Sequence, residues 1–463
     1  MKNLSFKLIL LVFISVLLGF GSKAIGLNSH QALSIAIFSV SILGTLFFWD
    51  FRLSFAFIGT SMLLMTHTID LENLIKFASL EVILFLVGMM VLVGLLKEAG
   101  VFAWLVSLIL RIPNLTAKKF FIATSLISAL LACAVDEVTS IIFMVAAVLE
   151  ICDYFEVEPT PFIIGSVLTT NIGSAGTVLG NPIGILIATK AGLSFEDFIT
   201  RAFPLMLLCL IVTILILMVL YRNALKQLDK KIKELGANEI LVRLISVPPE
   251  RQLKICLGIF GLTLFFISIH HRLELLWSLE TNTILLIVPL ISAGLVMIWK
   301  QKKARGYIEK DVEWWTLLFF LLLFAQAGTL KYTGATDVLA RKIVGITGNN
   351  PHFLTATILW LSVIGSSILD NVVLVAAFIP IIQGFQALNV NLQPLWWALL
   401  FGGCLGGNIT LIGSTANIVA LGILEKEKKI RITFFRWFWV GLTAGVITTG
   451  MVWLALVCLS IYR

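Results

Sequence analysis

The sequence predicts an all-α polytopic membrane protein of about eleven transmembrane helices in two inverted repeats, each with an interrupted helix and a re-entrant hairpin. Of its 463 residues, 59% are hydrophobic and only 13% are charged, and the mean hydropathy is +1.02. A water-soluble domain of this size does not expose so apolar a surface. The second observation is a duplication. Acidic motifs at Asp136 and Asp370 lie 370 − 136 = 234 residues apart, each inside a long apolar stretch.

Other landmarks repeat at nearly the same interval. Glu81 and Glu313 are 232 residues apart, and Thr177 and Thr410 are 233 residues apart. The repetition predicts that one half of the protein has been duplicated. The predicted organisation is an extra N-terminal span (1–30), a first inverted repeat (31–221), a basic cytoplasmic linker (222–252) and a second inverted repeat (253–463).

Nine apolar stretches have the length of a single transmembrane helix, about 20 residues. They lie near 6–22, 32–49, 53–67, 81–97, 202–221, 253–270, 279–298, 313–330 and 437–461. Lys2 and Lys7 before the first stretch resemble the start of a signal peptide. Because many spans follow, we expect an uncleaved first helix instead.

Four further apolar stretches do not fit one straight span. Residues 119–152 and 352–386 are 34 and 35 residues long and carry the acidic motifs near their middle, which predicts an interrupted helix in each. Residues 162–190 and 395–421 are rich in Gly, Asn, Ser and Thr. These two are predicted to be re-entrant hairpins that enter and leave on one side.

Charged segments predict the orientation. Residues 222–254 hold eight Lys or Arg against four acids, and 300–310 and 426–436 are also basic, so all three are expected at the cytoplasmic side. Residues 152–158 have three acids and no Lys or Arg, and are expected outside. In an inner (cytoplasmic) membrane the N-terminus is then cytoplasmic and the C-terminus outside. The first hairpin would enter from outside and the second from the cytoplasm.

The two acidic motifs predict an ion-binding site. They place Asp136, Glu137 and Thr139 in the first half, and Asp370 and Asn371 in the second, at membrane depth. A carboxylate there costs roughly 2.5–3.5 kcal/mol on insertion scales and can hold either a proton or an alkali cation. This predicts exchange of H⁺ for Na⁺ or Li⁺, with Asp136 and Asp370 as metal ligands and Thr139 and Asn371 as neutral ones. The alternative is that these polar groups only bridge helices.

The predicted hairpins carry uncharged polar residues at their tips. Gly permits close backbone approach, and Asn, Thr and Ser present oxygens and amides suited to an ion path. The candidate ion- or substrate-binding residues are Asn171, Gly173, Gly180 and Asn181 in the first half, and Asn408, Thr410, Ser414, Thr415 and Asn417 in the second. Tight helix packing through small residues is the alternative interpretation.

Other function classes lack support. The basic residues lie beside apolar spans and form no basic domain, so we expect no nucleic-acid partner. The sequence contains no P-loop, HExxH, GxSxG or CxxCH pattern, so we expect neither an enzyme nor a cofactor beyond the coupling ions Na⁺ and H⁺. The six cysteines are scattered and are expected to be inert thiols. The expected partners are the lipid bilayer and a small inorganic ion.

The order of these motifs resembles the ArsB/NhaD branch of the ion transporter superfamily over roughly residues 30–460. That branch contains NhaD-type sodium/proton antiporters, arsenite permeases and the P protein, and is similar to the divalent-anion/sodium symporters and citrate carriers. The resemblance implies two inverted repeats that move against a scaffold domain, which often forms homodimers. The segments that carry it are Gly88–Gly100, Asp136–Thr139, Asn171–Pro182, Ser366–Val372 and Gly406–Asn417.

Two departures from that branch bear on the substrate. The branch usually has Asp-Asn-Val-Thr where residues 136–139 read Asp-Glu-Val-Thr, and Asp-Pro-Pro-Asn where residues 181–184 read Asn-Pro-Ile-Gly. The three acids Asp136, Glu137 and Asp370 would together repel a carboxylate substrate. We therefore expect a secondary active Na⁺(Li⁺)/H⁺ antiporter that works by alternating access. The alternative is an anion permease for arsenite or a di- or tricarboxylate such as citrate, with the acids holding coupling Na⁺.

Overall fold

The computed structural model describes residues 2–110, 112–235, 251–348 and 350–462, and these residues form helices and no strands. Within them, eleven helices are long and apolar enough to cross a membrane. The predicted fold class, an all-α polytopic membrane protein with about eleven spans, is confirmed. The predicted linker is helical over Arg222–Leu235, whereas its residues 236–250 lie outside the described residues.

The first half of the chain and the linker contain helices α1 to α12. Asn28 begins α2 with a capping box, in which its side chain and that of Gln31 each accept from the other's backbone N–H. The helices are α1 (Lys2–Ala24), α2 (Ser29–Phe47), α3 (Arg52–Met65), α4 (Leu71–Phe77), α5 (Leu80–Glu98), α6 (Val101–Leu110), α7 (Ala117–Ala134), α8 (Glu137–Tyr154), α9 (Thr160–Gly173), α10 (Pro182–Ala191), α11 (Phe203–Leu220) and α12 (Arg222–Leu235).

The second half contains helices α13 to α22, and several repeat the lengths of their counterparts in the first half. They are α13 (Arg251–Ser268), α14 (His270–Trp277), α15 (Thr283–Lys300), α16 (Trp314–Tyr332), α17 (Ala335–Thr347), α18 (Pro351–Ile368), α19 (Asn371–Gly384), α20 (Gln393–Gly406), α21 (Thr415–Lys428) and α22 (Phe434–Cys458).

Ion pairs gather the three basic segments at one end of the helices, which we call the basic face. Lys300 and Lys303 pair with Glu98 at 3.0 and 2.9 Å, and Lys231 pairs with Glu156 at 3.4 Å. The acidic segment 152–158 therefore lies beside the basic segments, and its predicted place on the other side is wrong. Two further pairs support this placement, Lys428 with Asp153 and Arg436 with Glu158.

Contacts of a second group define the opposite face. Lys190 pairs with Glu81 at 3.1 Å, and Arg272 pairs with Glu196 at 2.7 Å. The hydroxyl of Tyr462, near the C-terminus, donates to the carbonyl oxygen of Arg201 at this face (2.8 Å). Helix α5 therefore runs from the opposite face to the basic face.

Helices α7 and α8 fold back on each other as a hairpin. Across its turn, Ser140 Oγ donates to the carbonyl oxygen of Ser128 at 3.0 Å. Both outer ends lie at the basic face, since Ala117 N donates to Asp229 of α12 and Glu156 pairs with Lys231. The prediction of an interrupted helix over residues 119–152 is therefore wrong.

Helices α18 and α19 form the second hairpin, which enters from the opposite face. A Cβ atom added at Gly365 of α18 would lie 2.4 Å from the Leu374 side chain of α19, so the two helices are in close contact. The outer end of α19 reaches Lys331 of α16, whose Nζ donates to Gln383 at 2.9 Å. The interrupted helix predicted over residues 352–386 is also wrong.

The two interrupted helices are α9–α10 and α20–α21. Glu158, just before α9, pairs with Arg436 at the basic face, whereas Lys190 near the end of α10 pairs with Glu81 at the opposite face. The segment 162–190 thus crosses from face to face and is not the hairpin that we predicted, and the same applies to 395–421. The hairpins open toward opposite faces, as inverted repeats require. The repeat relation itself stays a prediction.

Candidate ion-binding site

Four helices begin in the middle of the protein, at the turns of the hairpins and at the breaks of the interrupted helices. The first N–H groups of a helix have no partner within it, and the bilayer core offers no water to replace one. Each start therefore needs a capping side chain. The cap oxygen accepts from a backbone N–H two or three residues ahead, at 2.8–3.1 Å. The caps are Asp136 for α8, Asn181 for α10, Asp370 for α19 and Ser414 for α21.

Glu137 lies where the two halves of the protein meet. It is 3% exposed, and its carboxylate is held by neutral donors. The side-chain amide of Asn371 donates to both carboxylate oxygens, at 3.1 and 3.3 Å. Ser414 Oγ lies 3.5 Å from one of them. Glu137 caps no helix, whereas Asp136 uses one oxygen to accept from the backbone N–H of Thr139.

Three buried asparagines support Ser414 from behind. Asn171 Oδ1 accepts from Ser414 Oγ at 3.1 Å, and Asn171 Nδ2 donates to Asn408 Oδ1 at 2.9 Å and to Asn417 Oδ1 at 2.8 Å. Asn417 Nδ2 also donates to the carbonyl oxygen of Thr410 at 2.9 Å. These amides are hydrogen-bonded to one another and to Ser414, so they fix the position of Ser414 beside Glu137.

The two aspartates face different cavities. Asp136 and Thr139 line a cavity of about 240 Å³ together with Glu137. Asp370 accepts from Thr415 Oγ1 at 2.8 Å and lines a separate cavity of about 60 Å³. Among the described residues no group of three or more His, Cys, Asp or Glu could hold a metal ion. The aspartates predicted as Na⁺ or Li⁺ ligands would therefore serve two sites.

The larger cavity leads toward the basic face. Its inner end holds Asp136 and Glu137, and its outer end is lined by Lys97, Lys310 and Asp311. Lys97 Nζ lies 3.7 Å from Asp311 Oδ1. An ion at this face can thus approach the carboxylates along a path whose mouth carries charges of both signs.

Three of the predicted site residues make structural contacts with the backbone of other segments. A Cβ atom at Gly173 would lie 2.2 Å from the carbonyl oxygen of Ala129, and one at Gly180 would lie 2.3 Å from that of Ser174. Close approach of two backbone segments requires glycine at both positions, between helices at Gly173 and within the break of the interrupted helix at Gly180. The Thr410 hydroxyl donates to the carbonyl oxygen of Ser367 at the turn of the second hairpin. The structure therefore assigns these three residues packing and turn contacts.

Sequence analysis missed three residues near the site. Asn181 Nδ2 donates to Ser174 Oγ at 2.9 Å and lies 3.3 Å from Cys404 Sγ, so Ser174 and Cys404 complete the first-half side of the network. Arg52 is 6% exposed and its guanidinium carbon lies 4.0 Å from the Trp49 ring centroid. No local pattern marks Arg52, because an Arg at the edge of an apolar span ordinarily faces solvent.

Comparison with known proteins gives the family. A family model described as "Citrate transporter" matches residues 51–402. The chain belongs to the citrate transporter family. One relative is an uncharacterized transporter of Mycobacterium tuberculosis, which is 33% identical to this chain over 75% of the chain and 79% of that transporter. They also include the human P protein, which is 26% identical over 83% of the chain and 54% of the P protein. The resemblance to the ion transporter superfamily is confirmed.

A solved structure shares the fold of this citrate transporter family member. The YdaH transporter of Alcanivorax borkumensis matches with a TM-score of 0.55 and 15% sequence identity, over 86% of the chain and 88% of that structure. The family match and the eleven apolar helices among the described residues show that the chain is a multi-pass membrane transporter.

Proposed function

We propose that this transporter exchanges an alkali cation, Na⁺ or Li⁺, for protons, and that Glu137 is the carboxylate that binds either ion. The observation that carries the proposal is the buried Glu137 carboxylate at the contact of the two halves, which accepts from the Asn371 amide and lies 3.5 Å from Ser414 Oγ, with no cationic hydrogen-bond partner in the described part of the chain. A carboxylate at membrane depth is costly to keep without a function. Its charge is balanced when a proton or a metal cation binds.

Asp136 and Asp370 contribute to the proposal as secondary ligands. Each uses one oxygen to cap a helix, which leaves the second oxygen of Asp136 at the large cavity and that of Asp370 bonded to Thr415. The basic face is assigned to the cytoplasm because segments rich in Lys and Arg remain there. We also propose that the protein lies in the cytoplasmic membrane with its N-terminus in the cytoplasm, and that it forms a homodimer.

An everted-vesicle assay tests the exchange. Respiration acidifies the vesicle lumen, and a proton-sensitive dye reports the gradient. Addition of NaCl or LiCl should dissipate the gradient in vesicles that contain the protein, whereas choline chloride should not. If neither alkali salt has an effect in vesicles where the protein is present, the antiport proposal must be abandoned.

A second candidate is an anion permease for a di- or tricarboxylate. The observation in its favour is a cavity of about 220 Å³ near the opposite face, lined by Lys76, Lys190 and Lys331. Lys190 is paired with Glu81, and the other two lysines leave positive charge for an anion. The citrate transporter family model points the same way. Uptake of labelled citrate that falls when Lys76, Lys190 or Lys331 is replaced would favour this candidate, provided that NaCl and LiCl do not dissipate the proton gradient.

A further inference from the structure

Arg52 carries a buried charge that the proposed exchange does not use. It begins α3 at the basic face and is 6% exposed. Its guanidinium carbon lies 4.0 Å from the ring centroid of Trp49 and 5.1 Å from that of Phe319. The buried Nε atom of Arg52 has no hydrogen-bond partner among the described residues. Aromatic stacking offsets part of the cost of burying a guanidinium, but it leaves the charge unbalanced.

Asp370 is the acid whose negative charge acts most strongly on the Arg52 guanidinium. Asp370 and Glu313 both attract the guanidinium, Asp370 more strongly, and no direct ion pair to Arg52 occurs in the described part of the chain. A cavity of about 60 Å³ lies between Asp370 and Trp49, the ring against which the guanidinium packs. The Asp370 side chain therefore borders open space on the side of the Arg52–Trp49 pair.

The two charges belong to different parts of the fold. Arg52 starts α3, which packs against α2 and α16, whereas Asp370 lies at the turn of the second hairpin. A change in the position of that hairpin would change the distance between the charges. The attraction between Arg52 and Asp370 is weaker when another cation already neutralises Asp370.

We propose that Arg52 is the internal counter-ion of Asp370 when no alkali cation is bound, and that it thereby sets the cation affinity of the second site. The inference rests on the proposed cation exchange and names a specificity-determining residue for it. A Na⁺ ion near Asp370 has to compete with the guanidinium for the carboxylate. Arg52 thus weakens cation binding, and this weakening favours release.

The test compares Arg52→Gln and Arg52→Lys with the wild type. Removal of the charge should strengthen the apparent affinity for Na⁺ and Li⁺ by about tenfold, which corresponds to about 1.4 kcal/mol. Lysine keeps the positive charge that competes with a cation, so the affinity should stay within about threefold of the wild type. One measurement is the half-maximal salt concentration for loss of the proton gradient at alkaline pH. A second, independent of transport, is the rise in unfolding temperature of the purified protein with NaCl, relative to choline chloride.

Controls separate the possible failures. Arg305 is an exposed residue at the same face, and among the described residues it forms an ion pair with Glu309, four positions along the chain. Arg305→Gln should leave both measurements unchanged. Arg52→Met, which keeps apolar contact with Trp49, replaces Arg52→Gln if the latter does not fold. Unchanged or weakened cation affinity in the uncharged variants, with a normal wild-type response, overturns the role of Arg52 alone. A wild type that responds to neither salt overturns the proposed exchange instead.

Discussion

Glu137→Gln removes the charge at the centre of the site and keeps the shape of the side chain. In the wild type, one amide group of Asn371 contacts both carboxylate oxygens, at 3.1 and 3.3 Å. A carboxylate at membrane depth costs roughly 2.5–3.5 kcal/mol on insertion scales, and glutamine removes that cost. The bond from Asn371 changes from one to a charged acceptor, about 1.5–3 kcal/mol, to one to a neutral acceptor, about 0.5–1.5 kcal/mol, a loss of about 1–2 kcal/mol. The substitution should therefore raise the free energy of unfolding by about 1 kcal/mol. Loss of the charged cation ligand, which contributes about 1.5–3 kcal/mol, weakens apparent Na⁺ affinity by about tenfold to a hundredfold.

The assay for Glu137→Gln is the loss of the proton gradient in everted vesicles on addition of NaCl or LiCl. Glutamine cannot exchange a proton, so we expect no dissipation at salt concentrations that saturate the wild type. The matched control is Glu150→Gln, which neutralises an exposed acid on the same helix, α8, and should retain full exchange. Wild-type dissipation by a folded Glu137→Gln variant would refute the reasoning, because the exchanging carboxylate would then lie elsewhere.

Three further predictions concern topology, the capping acids and stability. Single cysteines at Glu156 and Lys231 should react with an impermeant thiol reagent from the same face, and reaction from opposite faces would contradict the hairpin α7–α8. Asp136→Asn and Asp370→Asn keep good helix caps but lose the charge, so each should insert and fold yet lose coupled transport, and normal flux would show that the carboxylates only cap. Glu98→Gln breaks the pairs with two lysines at the basic face and should lower the free energy of unfolding by about 1 kcal/mol in thermal unfolding, whereas an unchanged or raised value would show that these partly exposed pairs contribute nothing.

The sequence predicted which segments are irregular but not how they are connected. A hairpin and an interrupted helix both need a turn and a cap at membrane depth, so the acidic motif at residues 135–137 and the polar segment at residues 174–181 suited either form. The length of each stretch did not decide between them. The structure shows that the longer stretches turn back and the shorter ones cross.

The error in topology has a physical origin in the segment 152–158. We placed it outside because it has acids and no Lys or Arg. Acids carry little weight in the positive-inside rule, and in the folded protein they neutralise lysines and arginines of other loops. Glu156 meets Lys231 at 3.4 Å, a partner 75 residues away that no local pattern reveals.

The position of Glu137 relative to Asn371 explains how one carboxylate can be reached from both faces in the proposed exchange. The two residues are 371 − 137 = 234 residues apart, the same interval that separates the capping aspartates, and they are in direct contact. If the halves are the inverted repeats that we predict, corresponding residues can touch only near the axis that relates them. On that prediction, a group near the axis is equally distant from both faces, so one carboxylate can serve each opening in turn. A second acid in place of Asn371 would put two like charges within hydrogen-bond distance, which is unfavourable unless they share a proton.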